Sequence, residues 1–169
     1  MTLTTLALPV QAKKTIIPFE YGPVLLQRAP DDVPVQKLSG DEHLIITTYQ
    51  HYEAVYDGPL GIGTMYSDLI VTIMDNPSIN PVGTGHSTYN YTLEINDGPY
   101  GEGTLSGHLN AIIDFDFTVS PPRIDVWGNA SLKQGTGDLK GIKMNFDVHG
   151  IVIGPTEALQ FQTGEIILP

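Results

Sequence analysis

The sequence predicts an all-β protein: an eight-stranded antiparallel up-and-down β-barrel preceded by a proline-rich N-terminal arm. Three observations carry this. No stretch of helical length keeps a 3.6-residue apolar period without an internal Gly or Pro. Roughly eight runs are instead rich in β-branched and aromatic residues, several with period-two alternation. A glycine-rich turn also recurs between them. Asp57-Gly58-Pro59-Leu60-Gly61-Ile62-Gly63-Thr64 returns 40 residues later as Asp97-Gly98-Pro99-Tyr100-Gly101-Glu102-Gly103-Thr104. A third version is Gln134-Gly135-Thr136-Gly137-Asp138-Leu139-Lys140-Gly141-Ile142. Three such units are too few for a propeller. Successive hairpins close most economically as a barrel, which removes exposed edges; an open sandwich is the alternative.

The elements follow in order. Residues 1–40 hold Pro9, Pro18, Pro23, Pro30 and Pro34, which forbid a long helix and disfavour central strands. They read as a packed arm in which 15–19 and 22–27 form short edge strands, so that the barrel domain spans 41–169. His43 to Tyr56 is a strand with two distinct faces, one carrying Thr47, Tyr49, His51 and Glu53, the other Ile46, Thr48, Gln50 and Tyr52. Gly63 to Met74 is apolar on both faces, which predicts burial on both. Asp75 to Gly85 is a loop. His86 to Asn96 alternates, with Tyr89 and Tyr91 on one side. Strands over 103–117, 124–132, 143–153 and 158–168 complete the set, with at most one helical turn at 155–159. The paired carboxylates Asp114 and Asp116 read as a solvated outer face, which turns Phe115 and Phe117 inward.

Composition narrows the function. A chain of 169 residues with 41% hydrophobic residues can bury one sizeable core. A net charge of −11 with only 8 basic residues argues against nucleic acid and anionic membranes. Cysteine is absent, so there are no disulfides and no thiolate chemistry. No apolar run reaches the roughly 18 residues of a membrane-spanning helix. The N-terminus ends a mildly apolar stretch in Val10-Gln11-Ala12, but it lacks a basic start and contains Pro9. A secretory leader is therefore not expected, and a cytoplasmic location is favoured. The five histidines form no metal-ligand spacing, so neither metal nor cofactor is expected. The glycine motifs precede strands, not helices, so they lack the helix N-terminus that holds a phosphate.

Gly135-Thr136-Gly137-Asp138-Leu139-Lys140-Gly141 resembles the glycine-rich hairpin late in dirigent proteins and allene oxide cyclases. Upstream, Gly61-Ile62-Gly63-Thr64, the 89–95 strand before an Asp-Gly turn, and Gly103-Thr104-Leu105-Ser106-Gly107 fall in the family's order. The resemblance covers about residues 41–153. It implies an allene oxide cyclase-like barrel with a central cavity, as a homo-oligomer (dimer or trimer). It also implies a reactive apolar small molecule guided through cyclisation or coupling mostly by shape. No catalytic residue of that family can be placed here by motif.

The residues themselves offer one sharper set. Tyr49, His51 and Glu53 share one strand face and could supply acid–base groups, Glu53 with a raised pKa if buried. Tyr89, Tyr91, Trp127 and Phe146 could wall a ligand cavity. The competing reading is that these residues line a subunit interface or form exterior cross-strand pairs. The functional expectation is a small-molecule-binding barrel acting as a cofactor-independent cyclase or isomerase on an apolar substrate. The alternative is a non-catalytic ligand carrier or a structural self-assembling barrel.

Overall fold

The computed structural model describes residues 14–28, 35–39, 45–73 and 80–169. The strands are β1 (Thr15–Arg28), β2 (Val35–Ser39), β3 (Ile45–Gly58), β4 (Gly61–Ile73), β5 (Val82–Asp97), β6 (Gly103–Asp116), β7 (Arg123–Gly135), β8 (Lys143–Val152) and β9 (Glu157–Leu168). Neighbours from β3 to β9 pair antiparallel in chain order, β9 pairs with β1, and β1 returns to β3. The result is a closed eight-stranded up-and-down barrel, with β2 as a short extra strand on the edge of β3. The only helical element among the described residues is a 3₁₀ turn at Gly137–Leu139, inside the third glycine motif and not at 155–159.

Residues 15–28 form one continuous wall strand, in register with β9 from Thr15↔Leu168 to Gln27↔Glu157 and with one irregularity between Tyr21 and Val24. Pro18 and Pro23 are tolerated because the far edge of β1 pairs with β3 only at Gln27↔Glu53 and Arg28↔Tyr52. Below those pairs the seam is bridged by side chains. The Asp57 N–H donates to the Tyr21 hydroxyl at 3.0 Å, and the Tyr21 ring meets the Tyr56 ring edge-on at 5.1 Å. Of the rest of the expected arm, Lys14 and β2 are described, and residues 1–13, 29–34 and 40 lie outside the described residues.

The three glycine motifs are hairpin corners at one end of the barrel. Each folds an apolar residue under it: Leu60 and Leu139 are fully buried and Tyr100 is half-buried. At matching places in the first two repeats, Gly61 (φ +129°) and Gly101 (φ +90°) take backbone conformations that L side chains rarely adopt. With Met65, Leu93, Ile95, Leu105, Leu132 and Met144, the corner residues fill this end solidly. It is the floor. The opposite end, where β6 meets β7 and β8 meets β9, is the mouth.

Alternation decides the rest. Along β6, Leu105, Leu109, Ala111, Ile113 and Phe115 are buried, while His108, Asn110, Ile112 and Asp114 face out. β4 is buried on one face only: Leu69 points in and Ile70 lies 39% exposed, because a barrel wall has water or a partner, not a second layer, outside it. Val82 to Gly85, expected as loop, extend β5 in register with β6.

Candidate functional site: a cavity in the mouth half of the barrel

Above the filled floor the barrel is hollow. The cavity measures about 380 Å³, within the range of small-molecule sites. Its walls differ in character. Leu109 and Ile113 of β6, Val126 of β7 and Val148 of β8 give an aliphatic side. Facing them, β3, β4 and β5 present Gln50, Tyr52, Ser67, Tyr89 and Tyr91. Phe115, Phe117 and Ile124 line the way to the mouth. Among the described residues, none that lines the cavity is Asp, Glu, Lys, Arg or His.

The boundary between hollow and solid is a polar cluster spanning the barrel. Gln162 Nε2 of β9 donates to the Tyr91 hydroxyl of β5 at 2.7 Å, and Gln160 Nε2 reaches the same oxygen at 3.4 Å. The Tyr91 hydroxyl in turn donates to Met65 Sδ. Tyr91, Gln160 and Gln162 are all buried, so these hydrogen bonds are made away from water. Two polar atoms here stay unmatched: Ser67 Oγ and Gln162 Oε1 are buried with no hydrogen-bond partner. Ser67 lies between Tyr52 on β3 and Tyr91 on β5 in the registered row. Higher up, the Tyr52 hydroxyl donates to Gln50 Oε1 at 2.9 Å.

Burial dominates the acid–base properties of this site. It holds the Tyr91 phenol far above its ordinary value and pushes Tyr89 up to about 12. These phenols stay protonated near neutrality and act as hydrogen-bond donors or acceptors. No lining group among the described residues can serve as a general base there.

The expected site residues divide between the two faces. Tyr89, Tyr91 and Phe146 point inward, Tyr89 and Tyr91 lining the cavity and Phe146 packing edge-on against Tyr91 at 5.7 Å. Tyr49, His51 and Glu53 stand together on the outer wall, because Thr48, Ala54 and Tyr56 take the buried positions of β3. His51 Nδ1 lies 2.6 Å from Asp68 Oδ1, and His51 Nε2 lies 3.4 Å from Glu53 Oε1. The hydrogen bond to Asp68 raises the His51 pKa most, with Glu53 adding and burial opposing. Glu53 is exposed on this outer face. Trp127 is also outside, its ring stacked on His149 at 3.7 Å and 5°. His149 Nε2 lies 3.5 Å from Asp125 Oδ1, while Arg123 Nε donates to Asp125 Oδ2 at 2.5 Å.

Sequence reasoning missed Ser67, Gln160 and Gln162. In β9 the odd positions Leu159, Phe161 and Ile167 look like the core face, and the glutamines alternate with them. The structure turns the glutamines inward, towards Tyr91, and leaves Phe161 exposed near His149. A pair of uncharged polar residues two apart on a barrel strand was the available signal.

No family model, no curated protein and no solved structure matches this chain. No group of His, Asp and Glu among the described residues is arranged to hold a metal ion. No helix among them is long and apolar enough to cross a membrane.

Proposed function

We propose that this barrel binds an apolar, uncharged small molecule in the mouth half of its interior. The observation that carries the reading is the cavity of about 380 Å³, walled by aliphatic and aromatic side chains with a few neutral polar groups. A barrel that served only to pack against copies of itself would need no such void, since a filled interior is more stable. The order of the glycine hairpins supports kinship with allene oxide cyclase-like and dirigent-like barrels, and that kinship fits a ligand held mainly by shape.

A cyclase or isomerase role is the finer form of the same reading. The tyrosines favour it in one form only. With no general base on the cavity wall among the described residues, rate acceleration would come from holding a reactive substrate in a productive conformation. The Tyr89 hydroxyl would donate to an oxygen of the substrate. A carrier needs only the cavity.

Binding is tested with the neutral fluorophore N-phenyl-1-naphthylamine, together with native mass spectrometry of the purified protein for a retained molecule. Fluorescence should rise saturably with the wild-type protein. Val126→Trp, which places an indole into the void, should abolish the rise while circular dichroism stays that of a β-barrel. A folded wild-type protein that gives no saturable rise overturns the reading.

A further inference from the structure

Building on that reading, we propose that the cavity selects a ligand with one uncharged oxygen function, a hydroxyl or carbonyl. That group seats at Ser67, and the apolar body extends towards the mouth. The argument starts from the unpartnered Ser67 hydroxyl. It lines the cavity, is 2% exposed and makes no hydrogen bond. A buried polar group without a partner is costly, so such groups are rare unless something else completes them. Ser67 is flanked in the registered row by Tyr52 and Tyr91, yet both hydroxyls are committed, to Gln50 and to the Met65–Gln162 cluster. The missing partner of Ser67 must therefore come from the cavity.

The chemistry of the surroundings fixes the class of that partner. It must accept from the serine O–H or donate to its oxygen, as a carbonyl or hydroxyl does. It cannot carry charge. A carboxylate would be buried with no Lys, Arg or His on the described wall, and an ammonium with no Asp or Glu. The aliphatic wall of Leu109, Ile113, Val126 and Val148 opposite offers the body of the ligand only apolar contact.

The test compares three ligands of one chain length: 1-decanol, 1-chlorodecane and decanoate at pH 8. Each is measured by displacement of N-phenyl-1-naphthylamine from the wild-type protein and from Ser67→Ala. With the wild type, 1-decanol should displace the dye at roughly tenfold lower concentration than 1-chlorodecane, one net hydrogen bond's worth, and decanoate should be weaker still. In Ser67→Ala the advantage of 1-decanol over 1-chlorodecane should fall to within about twofold. The ligand-free variant should melt a few degrees higher, because the unpartnered hydroxyl is gone. If the dye binds but 1-decanol and 1-chlorodecane compete equally, or Ser67→Ala keeps the difference, the hydroxyl–carbonyl assignment is overturned and binding itself stands. Preferential displacement by decanoate overturns it as well. Absence of dye binding to folded protein overturns both readings.

Discussion

The side-chain amide of Gln162 donates to the hydroxyl of Tyr91 at 2.7 Å, joining β9 to β5 across the barrel interior. Four steps separate those strands around an eight-stranded wall, so the two residues come from opposite sides. Below this tie the interior is packed with Leu60, Met65, Leu93, Leu132, Leu139 and Met144; above it lies the cavity. The tie is thus both a strut and the floor of the site.

Tyr91→Phe should cost about 1–3 kcal/mol, because it removes the oxygen that accepts from Gln162 and Gln160 while both amides stay buried. Urea unfolding should show a lower midpoint with an unchanged slope. A midpoint equal to wild type would mean that water already serves these amides.

The barrel seam below the β1–β3 pairs depends on side chains more than on backbone. Tyr21→Phe removes the acceptor of the Asp57 N–H at the barrel surface, and the expected loss is about 1 kcal/mol. Hydrogen exchange should locate it: the Asp57 amide should exchange faster, while amides of β6 and β7 keep their protection.

Gly61 turns the first hairpin corner at φ +129°, and a Cβ there would run into the Asp97 carbonyl oxygen. Gly61→Ala should destabilise by several kcal/mol, combining backbone strain with displacement of the neighbouring corner. Gly141→Ala, with φ +91° but only ordinary contacts to Pro169, should cost distinctly less. Thermal unfolding of the two variants side by side gives the comparison.

His51 holds its proton more tightly in the folded protein than its ordinary value of 6.5 implies, chiefly through Asp68. Protonation therefore favours the fold. The contribution is complete below the unfolded value and fades as pH rises through the higher folded one. NMR titration of the His51 ring should show a midpoint above 6.5, and Asp68→Asn should bring it down. A midpoint in Asp68→Asn equal to that of the wild type would assign the shift to another group.

Much of the barrel could be read from the chain. The three glycine motifs marked the corners, and the alternation of Phe115 with Asp114 and Asp116 gave the correct face of β6. On β3 the same method had no purchase. Tyr49, His51 and Glu53 differ little in polarity from Gln50 and Tyr52, so period-two alternation separates the faces without saying which is inside. On β9 Gln160 and Gln162 are buried, while Phe161 is exposed.

By itself, then, the sequence determined the class of fold, the strands and the turns, because these rest on local preferences: β-branched runs, period two, and glycine where φ is positive. Only the tertiary structure decided the sign of the β3 and β9 faces, the closure of β1 onto β3 and the place of the cavity. Those depend on register between strands far apart in the chain. A side chain such as Gln162 is turned inward by a partner 71 residues away in the chain.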